Sequence, residues 1–77
     1  MKVAASEALN IAIDAQKNGR ISDAEQIYLD ILLNFPSHPD ALHNLGVLVL
    51  NKGDKQKARN YFSRSIAANP KVKQFWL

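Results

Sequence analysis

The sequence predicts an all-α chain of antiparallel helix-turn-helix units. Three observations carry this. Apolar residues recur at helical spacing in four segments, and none shows the two-residue alternation of a half-buried strand. Gly19, Pro36, Gly53 and Pro70 punctuate those segments at even intervals. The chain also matches itself when shifted by 34 residues: Gly19 falls on Gly53, Ala24 on Ala58, Tyr28 on Phe62, Pro36 on Pro70, Ile11 on Leu45 and Ala12 on Gly46. Small meets small, aromatic meets aromatic and breaker meets breaker, the signature of a repeated structural unit.

The first helix is expected from about Val3 to Lys17. Ala5, Ala8, Leu9, Ala12, Ile13 and Ala15 form its wide apolar stripe. Asn18 and Gly19 end it, because both tolerate the left-handed conformation of a C-terminal cap. Ser22 starts the second helix, with Glu25 three residues on as a capping box. Ile27, Leu29, Ile31, Leu32 and Leu33 make this helix strongly apolar, and Pro36 stops it after about Asn34.

The second half repeats the plan. Ser37 or His38 caps the third helix, Pro39 takes its first position and Asp40 complements the helix dipole. This helix runs to about Asn51 and ends at Lys52-Gly53. Asp54 caps the fourth, which spans about Lys55 to Ala68. Connections of a few residues make consecutive helices antiparallel neighbours.

These residues resemble the tetratricopeptide repeat family, whose 34-residue unit reads W-x2-L-G-x2-Y, then A-x3-F, then P. The second unit here reads Leu42-x2-Leu45-Gly46-x2-Val49, Ala58-x3-Phe62 and Pro70. The first reads Ala8-x2-Ile11-Ala12-x2-Ala15, Ala24-x3-Tyr28 and Pro36. Leu42 and Val49 replace the tryptophan and tyrosine of the pattern, and the first unit has alanine at both places. The resemblance implies a short right-handed α-solenoid of four helices plus a partial fifth. One domain would fill residues 1–77, with units at about 5–38 and 39–72 and the start of a third at 73–77. It also gives the motif letters a packing role. Gly46 and Ala12 allow close approach of two helices, Ala24 and Ala58 fill the matching place, and Tyr28 and Phe62 fill space toward the next unit.

After Pro70 the chain reads KVKQFWL, which places Trp76 where the family often has tryptophan. Phe75, Trp76 and Leu77 lack the polar outer face of a capping helix, so they read as a cut end of a longer protein. Such a cluster is expected to mediate self-association. Charge favours head-to-tail contact: residues 1–40 carry a net −3 and residues 41–77 a net +6.

The remaining composition bounds function. The 77 residues are 47% hydrophobic and 22% charged, without cysteine. Disulfides and thiolate metal sites are therefore excluded. No segment approaches the ~20 apolar residues of a membrane span, and Glu7, Asn10 and Asp14 interrupt any signal-peptide core. A cytoplasmic setting is the expectation. A domain of this size buries only about 60% of its unfolded surface, and three or more repeats are usually needed for stability. Association with another chain would compensate.

Chemistry is sparse. His38 and His43 stand five apart, outside the three- or four-residue spacing of helical ligand pairs, and no glutamate completes a set. Ser37, His38 and Asp40 adjoin in sequence, which does not place them in relay geometry. No enzyme activity, metal or cofactor is expected. Lys55, Lys57, Arg59 and Arg64 beside Tyr61 offer a nucleic-acid alternative, with phosphate contacts and one stacking aromatic. The phrase HPDALHNLGVL also resembles repeats that precede catalytic domains in bacterial glycosyltransferase- and sulfotransferase-like proteins.

The favoured expectation is a protein-interaction scaffold, because the family resemblance implies a concave face lined by the first helix of each unit. The positions concerned are Ser6, Leu9, Asn10 and Ile13, then Asp40, His43, Asn44, Val47 and Asn51. Asn44 stands where related repeats place an asparagine that bonds a peptide backbone. Leu9 and Ile13 occupy the lysine and asparagine positions of the family's carboxylate-binding version, which disfavours chaperone C-terminal tails. An apolar helix or strand, or another copy, suits these residues better.

Overall fold

The structure, a computed structural model, describes residues 4–69. Four helices appear among them and no strand: α1 (Ala5–Lys17), α2 (Ile21–Asn34), α3 (Pro39–Asn51) and α4 (Lys55–Ala68). The third and fourth helices have the expected bounds. The expectations for Pro70 and for the 73–77 segment, with Phe75, Trp76 and Leu77, lie outside the described residues.

Local chemistry explains most of the boundaries. Gly19 (φ 80°) and Gly53 (φ 95°) both occupy the left-handed region, where a side chain would be strained. Each lets the chain fold back on the helix it leaves. The Arg20 amide then donates to the Ala15 carbonyl at 2.8 Å, and the Asp54 amide donates to the Val49 carbonyl at 2.9 Å. These bonds satisfy carbonyls that a bare helix end would leave open. Of Ser37 and His38, it is His38 that caps α3, where its Nδ1 accepts from the Ala41 amide at 3.1 Å. An Asp54 carboxylate oxygen accepts from the Lys57 amide at 3.0 Å.

The start of α2 corrects the expected capping box. Ser22 and Glu25 do not cap; the helix begins at Ile21, Arg20 is the N-cap, and no side chain caps it. The reason is the tight turn at Gly19. Once Arg20 is tied to Ala15, its carbonyl already receives the Ala24 amide at 3.0 Å. Ser22 is therefore inside the first turn, past the place where a cap acts. The first helix is likewise shorter than expected at its start, with Ala4 as N-cap rather than a beginning at Val3.

The helices pack as two antiparallel pairs, α1 with α2 and α3 with α4, and the pairs meet where α2 lies on α3. The core follows that line: Ala12 and Ala15 from α1, Ala24, Tyr28, Ile31 and Leu32 from α2, Leu42, Leu45, Leu48 and Val49 from α3, and Ala58 from α4. Leu29 and Leu33, part of the apolar run of α2, instead face outward, with Leu33 81% exposed.

The packing roles of the motif letters are sharper than expected in one case. Phe62 lies against Gly46 within its own helix pair, so closely that a Cβ on Gly46 would sit 2.6 Å from Cε1. Its ring also tilts against His43, with centroids 5.6 Å apart. Phe62 thus fills the space inside its own pair. Tyr28, at the matching place, is fully buried.

Two contacts hold the turn between the pairs to α4. The buried Ser65 hydroxyl donates to the Pro39 carbonyl at 2.8 Å, and the Arg64 guanidinium donates to the Pro36 carbonyl at 3.3 Å. Across the two pairs, the Lys52 ammonium meets a Glu25 carboxylate oxygen at 2.8 Å. Both side chains are partly exposed, so this bridge contributes at most about 1 kcal/mol. It joins the first turns of α2 to the residue that follows α3.

Candidate functional site

A groove of about 420 Å³ runs along one side of the stack. Its walls come from three helices: Ile13, Gln16 and Lys17 of α1, Ile21 and Tyr28 of α2, and Asn44 and Asn51 of α3. Ile13 and Lys17 are one turn apart on α1, and Asn44 and Asn51 are two turns apart on α3, so each helix presents one face to the groove. Antiparallel pairing brings those faces together, because the α1–α2 and α3–α4 pairs lie side by side.

Three of the nine residues expected on the concave face therefore share this groove: Ile13, Asn44 and Asn51. The other six do not line it. Ser6, Asn10 and Asp40 are exposed on their helices. Leu9 is half-buried and packs on the core. Val47 is half-buried. His43 is half-buried with its ring against Phe62, which turns it toward α4.

Four groove residues were not anticipated: Gln16, Lys17, Ile21 and Tyr28. For Gln16 and Lys17 a signal was present, since Lys17 is four residues beyond Ile13 on the same helix face. Ile21 and Tyr28 belong to α2, the helix expected to sit behind the concave face, so no sequence pattern pointed to them.

The groove has an apolar floor and a polar rim. Ile13 and Ile21 supply apolar surface. The Tyr28 hydroxyl donates to Gln16 Oε1 at 2.8 Å, which orders the Gln16 amide at the groove edge. Burial without solvent contact pushes the Tyr28 hydroxyl pKa up to about 12, so it remains a neutral donor at any ordinary pH. The Asn44 and Asn51 amides each offer both donors and acceptors, and Lys17 adds one positive charge. Such a surface can hold a chain segment by backbone hydrogen bonds and seat an apolar side chain.

No nucleophile with an adjacent base lines this groove. Among the described residues there is no group of three or more His, Asp or Glu side chains placed to hold a metal ion. Burial lowers the His43 pKa below its ordinary value, and the nearby Asp40 charge partly opposes that. No described helix is long and apolar enough to cross a membrane. On α4, the aromatic of the nucleic-acid alternative is engaged: Tyr61 is half-buried against the core, and the Arg64 guanidinium lies 5.8 Å from its ring centroid.

Comparison with known proteins agrees with this architecture. The family model described as tetratricopeptide repeat matches residues 9–73. The chain is similar to cellulose synthase 1 operon protein C of Komagataeibacter xylinus, 36% identical over 59 residues, which is 77% of this chain and 4% of the relative. It is similar to cellulose synthase operon protein C of the same species, 34% identical over 58 residues, covering 75% of this chain and 4% of the relative. The protein of that name from Komagataeibacter sucrofermentans matches to the same extent. The chain thus spans a small fraction of the length of these relatives. No solved structure gives a significant match.

Proposed function

Because this chain belongs to the tetratricopeptide repeat family, a family whose members generally mediate protein–protein contacts, we propose that it is a non-catalytic protein-interaction module. It binds a polypeptide segment in the groove between α1 and α3. The observation that carries this reading is the convergence of Ile13, Ile21, Lys17, Asn44 and Asn51 from three helices on one concave surface. The apolar floor takes an aliphatic or aromatic anchor, and the two asparagines bond the segment's backbone. Lys17 favours an acidic residue beside the anchor. The setting is cytoplasmic, and contact between copies through the ends of the stack belongs to the same reading.

Peptides selected from a displayed random library against the full chain, then measured by calorimetric titration, test the groove. Selected peptides should share an apolar anchor, and Ile13→Asp and Asn44→Ala should each weaken binding at least about tenfold, the loss expected from a disrupted apolar anchor or a lost backbone bond in a desolvated site. Failure to select any binder, or binders indifferent to both substitutions, would remove this reading.

A second reading draws on the printed names of the relatives. Those proteins are cellulose synthase operon products, and the shared segment is repeat scaffold. In this reading the module is the repeat portion of a similar accessory protein, and the chemistry belongs to its partners.

A further inference from the structure

The Tyr28 hydroxyl decides which way the Gln16 amide faces. Tyr28 is fully buried, and its hydroxyl donates to Gln16 Oε1 at 2.8 Å, its one hydrogen bond to a described residue. With the amide reversed, the buried hydroxyl proton would face an NH2 group and lose its acceptor. Leaving a buried donor unmade costs more than a typical bond contributes. The proton stays in place at any ordinary pH, because burial pushes the hydroxyl pKa up to about 12. Gln16 Oε1 is thus turned to Tyr28. Its Nε2 carries two donors that have no partner among the described residues, on a side chain that lines the groove between α1 and α3.

The adjoining cation has the same preference. Lys17 is the one charged residue in the groove lining, and no carboxylate lines it. The one ion pair among the described residues joins Lys52 to Glu25, so none of their carboxylates neutralises Lys17. Asp14 stands on the same helix, but it accepts from the Asn18 amide at 3.3 Å and does not line the groove. Gln16 and Lys17 follow Ile13 by three and four residues, so they are its two neighbours one turn along α1. Donors therefore gather about 5.4 Å from the apolar anchor point, the rise of one helical turn. Asn44 and Asn51 stand opposite with both donors and acceptors. The rim as a whole has an excess of donors and lacks an anion.

We infer that Gln16, held by Tyr28, and Lys17 together read an acidic side chain of the bound segment, placed two residues from its apolar anchor. A carboxylate has two acceptor oxygens, one for the Gln16 amide and one for the Lys17 ammonium. The spacing follows from an extended segment. Its side chains two residues apart share one face and lie about 6.7 Å apart, close to one turn of α1. An extended backbone also keeps its N–H and C=O groups free for Asn44 and Asn51, whereas a helix uses them internally. Lysine at the same place is refused by its charge, and glutamine loses the charge-assisted bonds. Tyr28 is a positioning residue here and acts through Gln16. This rests on the interaction-module reading and deepens it by naming the chemistry and the spacing of the ligand.

The test uses the full chain and a random peptide library displayed with its C-termini fused, so that every carboxylate offered is a side chain. Selected peptides should carry Asp or Glu two residues from the apolar anchor. Calorimetric titration then compares the best peptide with its amide isostere, Gln for Glu or Asn for Asp. The parent chain should favour the acidic form about tenfold or more, as the loss of a hydrogen bond to a charged group implies. Gln16→Glu keeps an acceptor for the Tyr28 hydroxyl and removes the donors. It should lose the acidic preference and select lysine or arginine at the same place. Tyr28→Phe keeps the buried ring and frees the amide to turn, so the preference should shrink. A purely structural Tyr28 would weaken both peptide forms equally, and that result overturns the inference. Gln16→Glu reports independently of any effect of Tyr28→Phe on folding. Binders that depend on Ile13 and Asn44 but carry no acidic residue overturn the inference and leave the groove reading standing. So does an acidic preference that survives Gln16→Glu. A synthetic peptide that ends in its own carboxylate at that place, and binds more tightly than the internal acidic form, also overturns it. Failure to select any binder removes the groove reading and this inference together.

Discussion

Gly46 and Phe62 face each other across α3 and α4, and the space between them has no room for another carbon. A Cβ on Gly46 would lie 2.6, 2.8 and 3.1 Å from Cε1, Cδ1 and Cζ of the ring. Gly46 is buried in mid-helix, where glycine costs about 1 kcal/mol relative to alanine. The close approach offsets that cost by letting the ring pack directly on the helix. Gly46→Val should force the ring outward and lower stability by about 1–3 kcal/mol, the range for overpacking. Denaturant unfolding of the single variant and of Gly46→Val with Phe62→Leu checks this. The smaller partner should recover part of the loss.

Ser65 offers a second test. Its side chain is fully buried, and its hydroxyl reaches the Pro39 carbonyl at 2.8 Å. Ser65→Ala should cost about 1 kcal/mol, the net worth of one such bond. The loosening should appear in hydrogen exchange at the 35–39 turn before it appears in α1.

Tyr28 makes stability depend on alkaline pH. Its folded pKa is about 12 against an ordinary 10.0, because burial disfavours the phenolate. Between pH 10 and about pH 12 the unfolded chain has lost this proton and the folded chain still holds it. Unfolding then releases a proton, so stability falls as pH rises through that window. Tyr28→Phe removes this component. It also loses the bond to Gln16, at a cost of about 1 kcal/mol near neutrality. The stability gap between parent and variant should therefore narrow from about pH 10 upward in urea titrations at fixed temperature.

His43 acts at the other end of the scale. Its folded pKa is lowered from the ordinary 6.5 by burial, with Asp40 opposing. As pH falls through 6.5 the unfolded chain takes up this proton first, so stability falls. Above 6.5 both states are neutral and the contribution is constant. Proton NMR should show a His43 midpoint below 6.5. A midpoint at or above 6.5 would contradict the burial of the ring against Phe62.

Several of these contacts lie on letters that the sequence marks. Gly46 and Phe62 are motif positions of the repeat, and their roles as a small residue and an aromatic were readable from the 34-residue self-match. Their direct contact was not, since they stand on different helices. The groove shows the same division. Ile13, Asn44 and Asn51 follow from helix faces. Ile21 and Tyr28 enter only because α2 brings its edge into the gap between α1 and α3. His43 was expected on the concave face, and its ring contact with Phe62 on another helix could not be read from the sequence.

The sequence by itself determined the four helices, the turns between them and the 34-residue period. Apolar spacing, glycine at φ of 80° and 95°, proline at a helix start and the His38 and Asp54 caps all act within a few residues of where they stand. Tertiary structure decided that Ser65 is buried against Pro39. It also left Leu33 outside the core and set Lys52 beside Glu25. Those outcomes depend on how neighbouring helices compete for the same space and the same hydrogen bonds. That competition is resolved only when residues 26 and 27 positions apart, as in the Ser65–Pro39 and Lys52–Glu25 contacts, are brought together.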